Sequence, residues 1–144
     1  MILHGGLVAG RGSGLWRGAL IEGPSGSGKS DLSLRLIEGG FRLVSDDRTV
    51  VWTSAGKLFG RAPEPLAGLI EARGLGVFGA APVGFCEVVL IVRCEPPGAP
   101  VERLPYPETE SILELSLPVL RLSALEASAP AKLRRALSHL GVVP

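Results

Sequence analysis

The chain contains no asparagine and no glutamine. Neither an N-K-x-D guanine motif nor a water-positioning catalytic glutamine can exist, so a GTPase is nearly excluded. Cysteine is almost as scarce: Cys86 and Cys94 lie eight residues apart, with no C-x-x-C and no clustered histidine. That spacing supports neither a disulfide framework nor a zinc site, and predicts two free thiols around a buried strand. The longest aliphatic run, Val88–Val92, is far too short to span a membrane. Met1-Ile2-Leu3-His4-Gly5-Gly6 offers no basic stretch leading into an apolar one, so no signal peptide is expected and the expected location is cytoplasmic. A net charge of +1 gives no electrostatic reason to expect nucleic acid or an acidic membrane as partner. Only three of the fifteen basic residues are lysines: Lys29, Lys57 and Lys132. What is present is a 46% hydrophobic chain of 144 residues, enough for one core and read as a single domain over residues 1–144.

One of those lysines lies in Gly23-Pro24-Ser25-Gly26-Ser27-Gly28-Lys29-Ser30, which matches G-x-x-x-x-G-K-[ST] at every fixed position. Glycines let the backbone curl so that several N–H groups face one concavity and cradle phosphate oxygens. In such a loop Lys29 meets the β/γ-phosphates and the Ser30 hydroxyl can ligate Mg²⁺. The following helix N-terminus adds partial positive charge. The context agrees, because Leu15–Glu22 reads as a strand entering the loop and Ser30–Glu38 as a helix leaving it. The alternative is a Gly/Ser-rich connector.

Further strands are expected over Ile2–Ala9, Phe41–Ser45, Thr49–Thr53, Lys57–Arg61, Glu87–Arg93 and Val119–Leu122, with Ser54–Lys57 as a turn. Val88–Val92 should be covered on both faces. A last helix is expected over Ala131–Leu140, with Pro130 at its start and Gly141 past its end. The pattern is α/β.

Two more groupings carry chemistry. Val44-Ser45-Asp46-Asp47-Arg48 is a strand ending in paired carboxylates, sixteen residues after Ser30. Phosphoryl transfer needs oxygens for Mg²⁺ and an acceptor for a hydroxyl proton, and strand ends of this kind line the ligand crevice of α/β sheets. An Asp-initiated turn is the alternative. Leu69-Ile70-Glu71-Ala72-Arg73-Gly74-Leu75-Gly76-Val77-Phe78-Gly79 combines an acid, a base and glycines that would let backbone approach a charged ligand.

Taken together these features resemble the catalytic domain of bacterial HPr kinase/phosphorylase. His4-Gly5 resembles the family's opening H-G, the loop Gly23–Ser30 follows, and Phe41–Asp47 resembles its strand ending in a double Asp. Glu71-Ala72-Arg73-Gly74-Leu75-Gly76 is similar to its E-I-R-G-L-G signature, and Val101-Glu102-Arg103-Leu104 to its arginine before Leu. The resemblance implies a phosphate-loop α/β domain of the HPr kinase/phosphoenolpyruvate carboxykinase-like type, in a short form without the separate N-terminal domain. It implies an ATP- and Mg²⁺-dependent protein-serine kinase acting on HPr or a related phosphocarrier protein, in regulation of carbon metabolism by the phosphotransferase system. Lys29 would contact phosphates. Ser30, Asp46 and Glu71 would hold the metal, and Glu71, Arg73, Gly74 and Gly76 would form the signature loop. Asp47 would be the general base, supported by His4 and Arg103, and the family's hexamers imply a homo-oligomer. Read from the residues alone, His4 is equally an ordinary strand histidine and Arg103 a surface charge.

Two departures bear on activity. Arg11-Gly12-Ser13-Gly14 lengthens the segment before the loop, and Pro118-Val119-Leu120-Arg121-Leu122-Ser123 replaces the family's P-V-R-P-G-R loop, linked to the dephosphorylation direction. The kinase half of the resemblance is therefore the better supported. An ATP-binding sensor without phosphotransfer is the competing function. A small-molecule kinase would need an Arg-rich lid, and Pro96–Pro107 offers only Arg103.

Overall fold

The computed structural model describes residues 1–12, 14–80 and 82–139. The chain runs β1 (Ile2–His4), β2 (Gly6–Gly12), β3 (Leu15–Glu22), α1 (Lys29–Glu38), β4 (Arg42–Ser45), β5 (Arg48–Ser54) and β6 (Lys57–Arg61). After a 3-10 turn at Glu64–Leu66 follow β7 (Leu69–Ala72), β8 (Gly76–Gly79), β9 (Phe85–Cys94), β10 (Glu108–Ile112), β11 (Leu115–Leu122) and α2 (Ala129–His139).

Strand β9 organises a nine-stranded sheet. One edge pairs in parallel with β3; the other pairs first antiparallel with β6 and then in parallel with β11. The sheet continues from β3 through β2 to β4, from β6 through β5 to β1, and from β11 to β10, while β7 and β8 form a separate ribbon. A central strand buried on both faces must be apolar throughout, which is why Val88–Val92 lacks alternation. Val89, Leu90 and Val92 pack with Leu32 and Leu36 of α1 and Leu133 and Leu137 of α2. Val88 and Ile91 face the opposite cluster, with Leu7, Leu20, Val51, Leu58, Ile112 and Leu117. Both thiols are buried and free, and burial pushes the Cys86 thiol up to about 12.

Several expectations shift. Ile2–Ala9 is two strands, broken at Gly5, because β1 pairs with β5 whereas β2 pairs with β3 and β4. A Cβ on Gly5 would lie 2.8 Å from the Ile21 carbonyl oxygen, so only glycine fits the crossing. The segments β7, β8 and β10 were not expected as strands. The last helix begins at Ala129 rather than Ala131, while Leu140 and Gly141 lie outside the described residues. The turn after β5 is a hairpin turn with Ala55 at φ +52° and Gly56 at φ +74°, the left-handed pair that matches strand twist. Among the described residues no helix is long and apolar enough to cross a membrane.

Candidate active site

The loop between β3 and α1 starts at the carboxyl end of a parallel strand, where the backbone must reverse within a few residues. Gly23 (φ +154°), Gly26 (φ +81°) and Gly28 (φ +94°) supply the turns that L side chains rarely adopt. The Ser27 N–H closes one of them on the Pro24 carbonyl at 3.1 Å. Space is as restrictive as dihedral angle at Gly23, where a Cβ would lie 2.6 Å from the Cys94 carbonyl oxygen and 2.9 Å from Ser27 Oγ. Gly23→Ala is therefore expected to cost roughly 2–4 kcal/mol, summing left-handed strain and overpacking. A thermal melt of the variant checks it, and an unchanged midpoint would contradict the packing described.

Three observations make this loop fit a phosphate. Helix α1 begins after Gly28 with no side-chain cap, so its first-turn N–H groups are left for a ligand. Ser27 Oγ is buried without a hydrogen-bond partner among the described residues. Lys29 Nζ turns back onto the loop, donating to the Gly23 carbonyl at 2.6 Å and the Pro24 carbonyl at 3.4 Å. The half-buried lysine thus already lies across the concavity. Beneath it, burial pushes the Cys94 thiol up to about 11, with Lys29 and Arg35 pulling weakly the other way.

The paired acids part company at the end of β4. Asp46 reaches under the helix: its Oδ1 accepts from Ser30 Oγ at 3.0 Å, and its Oδ2 accepts from the Glu71 backbone N–H at 3.1 Å. One carboxylate thereby ties the helix N-terminus to the β7–β8 ribbon. Asp47 instead adopts φ +67°, its side chain 70% exposed and 3.8 Å from Arg48 Nε. Asp and Asn are the non-glycine residues that visit this region most readily. The tight turn, closed by the Arg48 N–H on the Asp46 carbonyl at 2.7 Å, places only Asp47 on the open side.

That open side is a cleft of about 420 Å³ lined by Lys29, Ser30, Asp47, Glu71, Arg73 and Leu125, among others. Gly74 (φ +90°) and Gly76 (φ +116°) form the bend of the ribbon that carries Glu71 and Arg73 to it. Among the described residues no cluster of three or more His, Cys, Asp or Glu could hold a metal unaided. Ser30 and Glu71 in the cleft lining fit Mg²⁺, which usually takes one or two carboxylates and completes its shell with phosphate oxygens and water. His4 lies at the end of β1, opposite Arg48, the residue after Asp47, but outside the cleft lining. Arg103 lines a different cavity, of about 590 Å³, between the proline-rich segment after β9 and the β10–β11 pair.

Against known families, residues 1–126 match the model described as HPr Serine kinase C-terminal domain. The chain belongs to this family. It is 47% identical over 88 residues to the HPr kinase/phosphorylase of Clostridium beijerinckii, covering 60% of the chain and 28% of that protein. It is 38% identical over 114 residues to the HPr kinase/phosphorylase of Brevibacillus brevis, covering 72% of the chain and 37% of that protein. The chain thus spans between 28% and 37% of the length of these two curated relatives. Its fold is similar to the HPr(Ser) kinase/phosphatase from Coxiella burnetii, with TM-score 0.80 and 26% identity over 96% of the chain and 95% of the other.

Within this HPr kinase fold, two residues near the cleft carried no sequence signal. Leu125, 56% exposed, leans over the loop so closely that a Cβ on Gly28 would lie 2.7 Å from its Cδ2. Arg35 holds that segment in place, donating to the Glu126 carbonyl at 3.2 Å and to the Ala124 carbonyl while pairing with Asp31 at 3.0 Å. Each looks ordinary in sequence, a surface leucine and an i,i+4 helix pair, because contacts about 90 residues apart leave no local pattern.

Proposed function

We propose that this chain is the catalytic part of an ATP-dependent protein-serine kinase acting on HPr or a related phosphocarrier protein, a regulator of phosphotransferase-system carbon metabolism. One observation carries the reading: Lys29 and Ser30 at the start of α1, Asp47 after β4 and Glu71 of β7 come from three separate segments to line one cleft at an uncapped helix N-terminus. Ser30 and Glu71 would hold a Mg²⁺, which would supply positive charge against the phosphates. Asp46 would orient both residues. Lys29 would exchange the Gly23 and Pro24 carbonyls for phosphate oxygens. Asp47, the acid on the open side, would accept the proton of the incoming serine hydroxyl. Arg73 would add positive charge beside the cleft mouth.

The location of Arg103, apart from this cleft, favours a second reading: an ATP-binding sensor that transfers no phosphate. One experiment separates them. Purified protein incubated with labelled ATP, Mg²⁺ and HPr should give alkali-labile phosphoserine on HPr. Tight nucleotide binding with no labelled HPr would leave the sensor.

A further inference from the structure

The helices α1 and α2 pack over β2, β4, β9 and β11, and leave the outer end of the same side of the sheet bare. Strand alternation fixes what lies there. Val51, Leu58, Cys86 and Val88 turn inward to the second core cluster, so Val50, Trp52, Phe59 and Phe85 turn outward. Trp52 stacks on Phe59 with ring centroids 5.9 Å apart, and Phe85 completes the group at 6.1 Å from Trp52 and 6.3 Å from Phe59. Ile2, opposite Val50, extends the patch, and Phe85 remains 58% exposed. Ile2 and Phe85 are exposed and Trp52 and Phe59 half-buried, a contiguous apolar group rather than the usual scatter of single exposed hydrophobics.

The charges around this patch are mostly of one sign. Arg48, Lys57 and Arg61 lie on the same face, against two acids: Glu87, 4.0 Å from Lys57 Nζ, and Asp47, 3.8 Å from Arg48 Nε. Arg61 makes no ion pair among the described residues; its guanidinium donates to the Ala62 carbonyl at 3.1 Å. A second copy of the chain would bring one basic rim against another, which is unfavourable. The patch also begins at the active cleft. Strand β5 starts at Arg48, the residue after Asp47, and Trp52 lies about 13 Å along it. A protein presenting a hydroxyl to Asp47 would have this face within reach along β5.

We propose that the aromatic face of β5, β6 and β9 docks the protein acceptor, through an apolar patch with an acidic rim on that partner. This rests on the reading of Asp47 as acceptor of a protein hydroxyl proton. Trp and Arg are the residue types that most often dominate such contacts, and rim charge acts chiefly on association rate. The test uses HPr as probe, with Arg61→Glu as an exposed charge reversal and Phe85→Ser as an exposed apolar loss. KM for HPr and the Kd from direct HPr titration should both rise about tenfold or more in each variant, with ATP affinity unchanged. Raised salt should weaken HPr binding to the wild type and narrow its gap from Arg61→Glu. Transfer to HPr with KM and Kd within twofold of wild type in both variants would overturn the docking face while leaving the kinase reading intact. Binding that is lost in the variants, with no transfer by wild type, would keep the face and overturn the kinase reading. A wild-type dimer that Phe85→Ser dissociates in sedimentation would assign the face to self-association instead.

Discussion

Lys29→Ala should abolish transfer to HPr while leaving the fold intact. The ammonium group is held by the Gly23 and Pro24 carbonyls, so the variant loses hydrogen bonds as well as charge. The first of these is short and part-buried, and its loss should cost about 1 kcal/mol of stability, a shift of a few degrees in Tm. The catalytic loss is of another order. Removing one fixed donor from a site of developing charge costs about 10² to 10³ in rate, and a cation aimed at transferring phosphate is at least as important. The same carbonyls, no longer covered, would then face the phosphates and add repulsion. Single-turnover transfer measured beside a thermal melt decides it. A variant that melts far below wild type would make Lys29 a structural residue, and one that transfers at a similar rate would remove it from the mechanism.

The contrast between loop and surroundings explains what the sequence made legible. The strand Leu15–Glu22, the glycines of the loop and the helix after it are all encoded locally. Dihedral angle, helix start and phosphate chemistry are set by residues within a few positions of each other, and the helix begins one residue from its expected start. The hairpin Lys57–Arg61 was legible for the same reason, since its turn is written in Ala55 and Gly56. Long-range pairing hides elements. Strand β10 carries Glu108 and Glu110 on the same face as the buried Ile112, a placement no local pattern shows because it depends on those acids meeting Arg121 and Arg93. Ribbon β7–β8 was read as a glycine-rich bend, and its four-residue strands show alternation too short to stand out.

The site shows the same division. That two acids close the β4 strand was plain, as was the risk that neighbours on a strand end face opposite ways. Which of them faces the cleft depends on the turn at Asp46–Arg48 and on a hydrogen bond from Glu71, 25 residues away, neither of which a pattern of residue types encodes. The aromatic face was likewise invisible, because Trp52, Phe59 and Phe85 come from three strands and read individually as core.

The two aspartates should therefore fail in different ways. Asp47→Asn removes a basic lone pair from the open side of the cleft without altering shape, and asparagine tolerates the left-handed backbone that Asp47 adopts. Nucleotide affinity and Tm should hardly change, while transfer to HPr falls by about 10²–10⁴, the usual contribution of a positioned base. Asp46→Asn acts one layer deeper. The carboxylate accepts two hydrogen bonds, one from a hydroxyl that can rotate and one from a backbone N–H that cannot. The amide must then turn its oxygen to Glu71 and its NH₂ group to Ser30. Ser30 Oγ becomes an acceptor there, and one of the two lone pairs open to Mg²⁺ is taken up. The expected result is a weakened Mg²⁺-dependent part of nucleotide affinity, with Mg²⁺-free affinity little changed, and a modest loss of stability of about 1 kcal/mol as the ribbon loosens from α1. Titration calorimetry with ATP, with and without Mg²⁺, alongside single-turnover transfer for both variants separates the two roles. If Asp46→Asn stops transfer at saturating nucleotide while Asp47→Asn transfers normally, the base is Asp46, and the exposed acid beside it serves only to pair with Arg48.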